Sequence, residues 1–139
     1  MTSVARLAPY TLALLRIIAG LLFLEHGLIK LANFPPGLPP GQIPFDAVLQ
    51  WSLPGAQLWI GAVIETVAGV LLILGLFTRL AAFIASGEMA VAYWQFHFPQ
   101  GPYPAGNNGE AAVLFCFIFL YLVFAGPGAL SLDGPGVKK

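Results

Sequence analysis

Four apolar runs, about Leu7–Leu31, Ala56–Phe77, Leu80–Phe98 and Asn108–Ala125, divide the chain. Each approaches the roughly 17–25 helical residues that cross a hydrocarbon core, and breakers separate them. Such a pattern leaves few folds open, because in hydrocarbon every backbone N–H and C=O must be satisfied within the protein. The expected fold is all-α: a four-transmembrane-helix bundle forming a single membrane domain over residues 1–139. Composition agrees, with 58% hydrophobic and 9% charged residues, against roughly 25% charged in an average soluble domain. The lipid bilayer is therefore the first partner. Six Lys+Arg balance six Asp+Glu, which leaves no basic field for nucleic acid.

The first run lies where a signal peptide would, but Arg16, Glu25 and His26 interrupt it and no clear cleavage site follows, so it reads as a retained helix. Runs two and three are joined at Thr78-Arg79, a turn short enough to make them antiparallel neighbours. The fourth starts at Asn107-Asn108-Gly109-Glu110, which has the form of a capping box, and stops at Gly126-Pro127-Gly128. Four crossings place Arg6, Arg79, Lys138 and Lys139 on one side, and the positive-inside rule makes that side, with both termini, cytoplasmic. Only Lys30 speaks against this. Within the Pro/Gly-rich first outer loop, Phe45–Trp51 carries apolar residues at helical spacing and is expected to form a short interfacial helix.

Ionisable residues inside spans are costly and normally face a bundle interior or a wet cavity. By helical angle, Arg16, His26 and Lys30 share a face of helix one, and Glu25 opposes Arg16. Gly61 and Gly69 flank Glu65 at i±4, and Ala81 and Ala92 lie near Glu88 in angle. Both carboxylates should therefore face close-packed neighbours. Depth along the helices suggests two layers. In the inner one, Arg16 would meet Glu65 and Glu88 in a buried charge network that Lys30 joins. In the outer one, Glu25, His26, His97 and Glu110 would form a polar cluster. Tyr93, Trp94, Phe96 and Phe98 surround His97, as an interfacial aromatic belt or as an apolar slot for a flat ring. No HxxxH or HExxH spacing occurs, so no metal site is expected and haem ligation is disfavoured. Cys116 is the single cysteine, so a redox role would draw on a bound cofactor or a partner.

Helix one, with Arg16, Gly20, Phe23, His26-Gly27 and Lys30-Leu31, resembles the opening of the DoxX family. The likeness continues through Gly61, Glu65, Gly69, Gly75, Thr78-Arg79, Ala81-Ala82, Met89, Ala92 and His97. It closes with Gly109-Glu110-Ala111 and Gly126-Pro127-Gly128 to Ser131-Leu132-Asp133. The resemblance implies a small four-helix protein of a prokaryotic inner membrane. It also implies association with membrane oxidoreductases: the family takes its name from a subunit linked to a thiosulfate:quinone oxidoreductase and terminal quinol oxidase. No catalytic residue set is carried over, and the Pro-rich first loop departs from the family pattern.

Three functions follow as expectations. The first is a redox-associated subunit that binds quinone, or docks a quinone-linked oxidoreductase. There His26 and His97 would bond the head group beside Trp94 and Tyr93, and Arg16, Glu65 and Glu88 would tune charge or relay protons. The second is a small permease, acting as a homo-oligomer. The third is a non-catalytic assembly protein, whose spans would be sealed by an ion pair of Arg16 with Glu65 and Glu88. Whether the chain itself catalyses a reaction differs among the three.

Overall fold

The computed structural model of the protein describes residues 3–32, 34 and 53–134. Helix α1 spans Ala8–Ala32 behind a 3-10 turn at Ser3–Leu7, and α2 (Leu53–Leu74), α3 (Thr78–Ala92) and α4 (Glu110–Ala125) follow. Helix α3 continues without a break into a π-helical turn, Tyr93–His97, and a 3-10 turn, Phe98–Gln100. Among the described residues there is no strand. Val4–Ala32 and Ala56–Leu74 are each long and apolar enough to cross a membrane, and Glu110–Ala125 is a shorter apolar helix. The expected interfacial helix at Phe45–Trp51, and Lys138 and Lys139, lie outside the described residues.

The helices associate as two pairs, α1 on α2 and α3 on α4, joined mainly where α2 meets α3. On α1 the buried residues Ala13, Arg16, Gly20, Phe23 and Gly27 advance by three and four in alternation. That spacing keeps one stripe of a helix against its neighbour. Ala112, Phe115, Phe119 and Leu122 repeat the pattern on α4. Size is sorted inside out relative to a water-soluble bundle. Ala82 and Ala85 are wholly buried, whereas Phe83 and Phe117 are each 64% exposed. Water would penalise such a surface; hydrocarbon does not, and there the close packing of small residues holds helices together.

The α1–α2 seam depends on glycine. A Cβ on Gly69 would lie 2.7 Å from the Leu24 backbone nitrogen, and one on Gly27 would lie 2.7 Å from that of Thr66. Gly27→Ala is expected to prise the pair apart and cost about 1–3 kcal/mol, seen as a lower thermal midpoint in detergent. An unchanged midpoint would contradict so tight a seam.

Three expected boundaries move. The α2–α3 turn lies at Gly75–Phe77, not at Thr78-Arg79, because Gly75 (φ 65°) and Phe77 (φ 48°) adopt left-handed backbone that stops α2, and Thr78 already opens α3. A Cβ on Gly75 would also meet Ser131 Cβ at 2.5 Å. The capping box does not form. Asn107 Oδ1 instead accepts from the Gly109 N–H at 2.8 Å, and left-handed Asn108 (φ 58°) separates it from a helix that starts at Glu110. Finally, the π-helical turn replaces the regular end expected for the third span, so angular arithmetic fails beyond Ala92.

Asp133 caps α3 from the C-terminal tail. Its Oδ1 accepts from the Phe77 N–H at 2.7 Å and its Oδ2 from the Thr78 N–H at 2.8 Å. These bonds help offset the roughly 1–2 kcal/mol that left-handed backbone costs Phe77. Burial alone would raise the Asp133 carboxyl. The Thr78 N–H, the Phe77 N–H and the Arg16 charge outweigh it and hold the pKa below the ordinary 3.8. A depressed carboxylate stabilises fully above its unfolded pKa and loses that contribution as pH falls through the folded value. Asp133→Ala is therefore expected to cost about 1 kcal/mol at neutral pH. The gap from wild type should close as the pH is taken below about 4. Melting curves across that range check it, and a constant gap would contradict the assignment.

Candidate functional site

The two ends of the bundle do different work. At one end, where α2 and α4 finish and α3 begins, the Arg16 guanidinium is wholly buried and, among the described residues, bonds only to backbone carbonyls. Its Nε donates to Pro127 O at 2.8 Å, Nη1 to Leu72 O and to Ile73 O at 2.9 Å, and Nη2 to Leu130 O at 2.7 Å and Ala129 O at 3.4 Å. Arg79 similarly donates to Val123 O and, at 2.8 Å, to Phe124 O. The last carbonyls of a helix lack intrahelical partners and sit at the negative end of its dipole, so cations belong there. The predicted meeting of Arg16 with Glu65 and Glu88 is corrected: similar depth does not imply a shared azimuth, and unpaired helix-end carbonyls claim the guanidinium first.

At the other end, a cavity of about 430 Å³ lies between the two helix pairs. Phe23, Met89, Phe96 and Phe115 give it apolar walls, and His26, Lys30, Gln57, Glu65, Glu88, His97 and Asn108 supply its polar groups. Phe23 packs edge-on to Phe119, with ring centroids 4.8 Å apart, and Phe115 stacks on Phe119 at 5.5 Å. The aromatic floor is thereby fixed by the core beneath it.

Lys30 reaches from near the end of α1 to Glu65 in mid-α2, its Nζ 2.6 Å from Oε1 and 2.8 Å from Oε2. Glu65 is 2% exposed, so the pair cancels locally inside a medium where a lone charge is costly. Glu88 has no such partner among the described residues. Its Oε1 would lie 3.1 Å from a Cβ on Gly61, and its Oε2 is buried without a hydrogen bond among the described residues. His97 Nδ1 lies 3.0 Å from the Asn107 carbonyl. A carbonyl only accepts, so that nitrogen carries the proton and Nε2 of the neutral ring is an acceptor. His26 stands edge-on to Phe115 at 6.0 Å.

The sequence-predicted residues thus regroup. Lys30, Glu65 and Glu88 share one cavity with His26 and His97, where two separate layers were expected. Glu25 and Glu110 are exposed and do not line it. Trp94, 61% exposed, packs on Phe98 at 4.7 Å outside the cavity. Tyr93 stacks on His97 at 6.3 Å and bonds Pro102 O through its hydroxyl, supporting the histidine from behind. Asn107 was not foreseen in this role. It is wholly buried, and its Nδ2 donates to Gly101 O at 2.7 Å, which braces the loop that holds His97. The Asn-Asn-Gly run signals a turn but not which side chain turns inward.

Comparison with known proteins places this geometry in a lineage. The family model described as DoxX matches residues 11–98. An uncharacterized protein of Haemophilus influenzae is 42% identical over 142 residues, covering the whole of both chains. The inner membrane protein YphA of Escherichia coli is 31% identical over 90% of this chain and 89% of its own length. CatD of Bacillus subtilis, provisionally named an oxidoreductase, is 29% identical over 86% of this chain and 82% of its own. No solved structure is significantly similar.

Proposed function

The chain belongs to the DoxX family of membrane proteins, and from that premise we propose that it holds the head group of a quinone in the cavity and serves a membrane oxidoreductase. One observation carries the reading. Aromatic walls and hydrogen-bonding side chains converge in a single cavity, and one buried carboxylate oxygen there is unmatched. An apolar slot with a few convergent polar groups suits a flat, weakly polar ring. In the neutral tautomer His97 Nε2 accepts from a quinol hydroxyl, and Lys30 and Glu88, which also line the cavity, are left to bond the second oxygen. The provisional oxidoreductase name of CatD points the same way.

A slot sealed by Arg16 against Glu65 and Glu88 would have favoured the assembly-protein reading. Arg16 lies instead at the far end, and the cavity remains. We further read α3 with its π and 3-10 continuation, and α4, as the third and fourth spans. Both termini then face the cytoplasm of a prokaryotic inner membrane and the cavity sits in the outer half. Purified protein is expected to be stabilised by a ring-only benzoquinol, with the apparent affinity reduced at least about tenfold in His97→Ala, the loss of one good polar contact. Absence of any quinol-dependent shift in wild type would sink the reading.

A further inference from the structure

Between α2 and α3 a second, mostly apolar groove of about 340 Å³ runs along the outer face of the bundle, lined by Ile60, Ile64, Phe83, Ile84, Gly87 and Val91. It is not independent of the cavity: Gln57, Gly61, Glu88, Ala92 and Phe96 line both. The two meet at Gly61 and Glu88. Gly61 contributes no side chain, and the Glu88 carboxylate occupies the space a Cβ there would approach. Phe83, Ile84, Ile60 and Val91 are all exposed on the outer side, so the groove meets the surrounding hydrocarbon directly.

Resting on the quinone reading, we propose that the ligand's hydrocarbon chain leaves the cavity laterally across this Gly61–Glu88 boundary, and that the α2–α3 groove holds that chain. The proposal specifies the ligand class as a polar ring with a long apolar tail, and it identifies the groove's occupant as that tail. Hydrocarbon gains little by moving from lipid to an apolar protein face. The groove therefore supplies room, and blocking it should exclude tailed ligands while sparing the bare ring.

Gly87 makes the test clean, because nothing lies within 4 Å of a Cβ built there and it does not line the cavity. Dissociation constants are measured in detergent for 2,3-dimethoxy-5-methylbenzoquinone and for the same ring bearing a decyl chain. Wild type, Gly87→Phe and Val91→Phe are compared, with Val70→Phe, an exposed position outside the groove, as control. Taking the ratio of variant to wild type removes partition of the tail into detergent. Gly87→Phe and Val91→Phe are expected to weaken the decyl compound about tenfold or more, the scale of an overpacking penalty. Binding of the tailless ring should stay unchanged, and the Val70 variant should bind both as wild type does. If both rings bind wild type but the groove variants discriminate no more than the control does, the groove is covered by bilayer lipid alone and this inference is overturned while the cavity reading stands. If neither ring binds wild type, the cavity reading itself falls.

Discussion

Replacing Arg16 with leucine is expected to remove about 3–5 kcal/mol of stability, because several carbonyls lose their donor at roughly 1–3 kcal/mol for each one left buried and unpaired. It should also release the C-terminal tail. The side chain ties the last turn of α2 to Pro127, Ala129 and Leu130, and Leu cannot satisfy those carbonyls. Arg16→Lys should recover only part of the loss, because an ammonium has three donors and no planar fork. Thermal melts rank the three proteins, and limited proteolysis reports the tail: cleavage near residues 127–134 should accelerate in the leucine variant. Equal melts for Arg, Lys and Leu would contradict a structural clamp.

A comparable loss is expected from Lys30→Met. Glu65 is buried with Lys30 as its bidentate partner, so the single change leaves an uncompensated carboxylate and should cost about 3–5 kcal/mol. Adding Glu65→Leu removes that charge, and the double variant should regain most of the stability. Quinone affinity should not return with it, because Lys30 is a hydrogen-bond donor in the cavity wall. This split between stability and binding is what distinguishes a ligand-bearing pair from a purely structural one. A double variant that binds quinone as wild type does would assign the pair to packing alone.

Much of this arrangement was legible in the chain because lipid simplifies the physics. Apolar runs locate helices, and Gly61 and Gly69 beside Glu65 point that carboxylate inward, since only small residues let a second backbone approach. What escaped was anything whose partner is backbone. Arg16 looked like a counter-ion for Glu65 because carboxylates are visible in a sequence, whereas the carbonyls of Leu72, Ile73 and Pro127 have no residue signature. The two-layer picture failed for a related reason. Depth was counted along helix axes, but Lys30 spans more than a turn with its side chain and draws Glu65 into the group containing His26 and His97. The π-helical turn at Tyr93–His97 shifts the aromatic cluster as well, sending Trp94 to the outer surface and Tyr93 behind His97.

The resemblance residues also separate once folded. Arg16, Gly75, Thr78, Arg79, Gly126–Gly128 and Asp133 build the closed end, and His26, Lys30, Gly61, Glu65, Met89 and His97 line the cavity beside Glu88. Conflating the two groups is what made Arg16 a functional candidate; its position makes it a fastening.

Whether the cavity holds a quinone is tested most directly by mass spectrometry of organic extracts from protein purified out of its own membrane. Quinone approaching one molecule per chain is expected in wild type, with the yield falling sharply in Glu88→Leu and His97→Ala proteins that melt as wild type does. Equal quinone in wild type and in the folded cavity variants, or none in any of them, would contradict it.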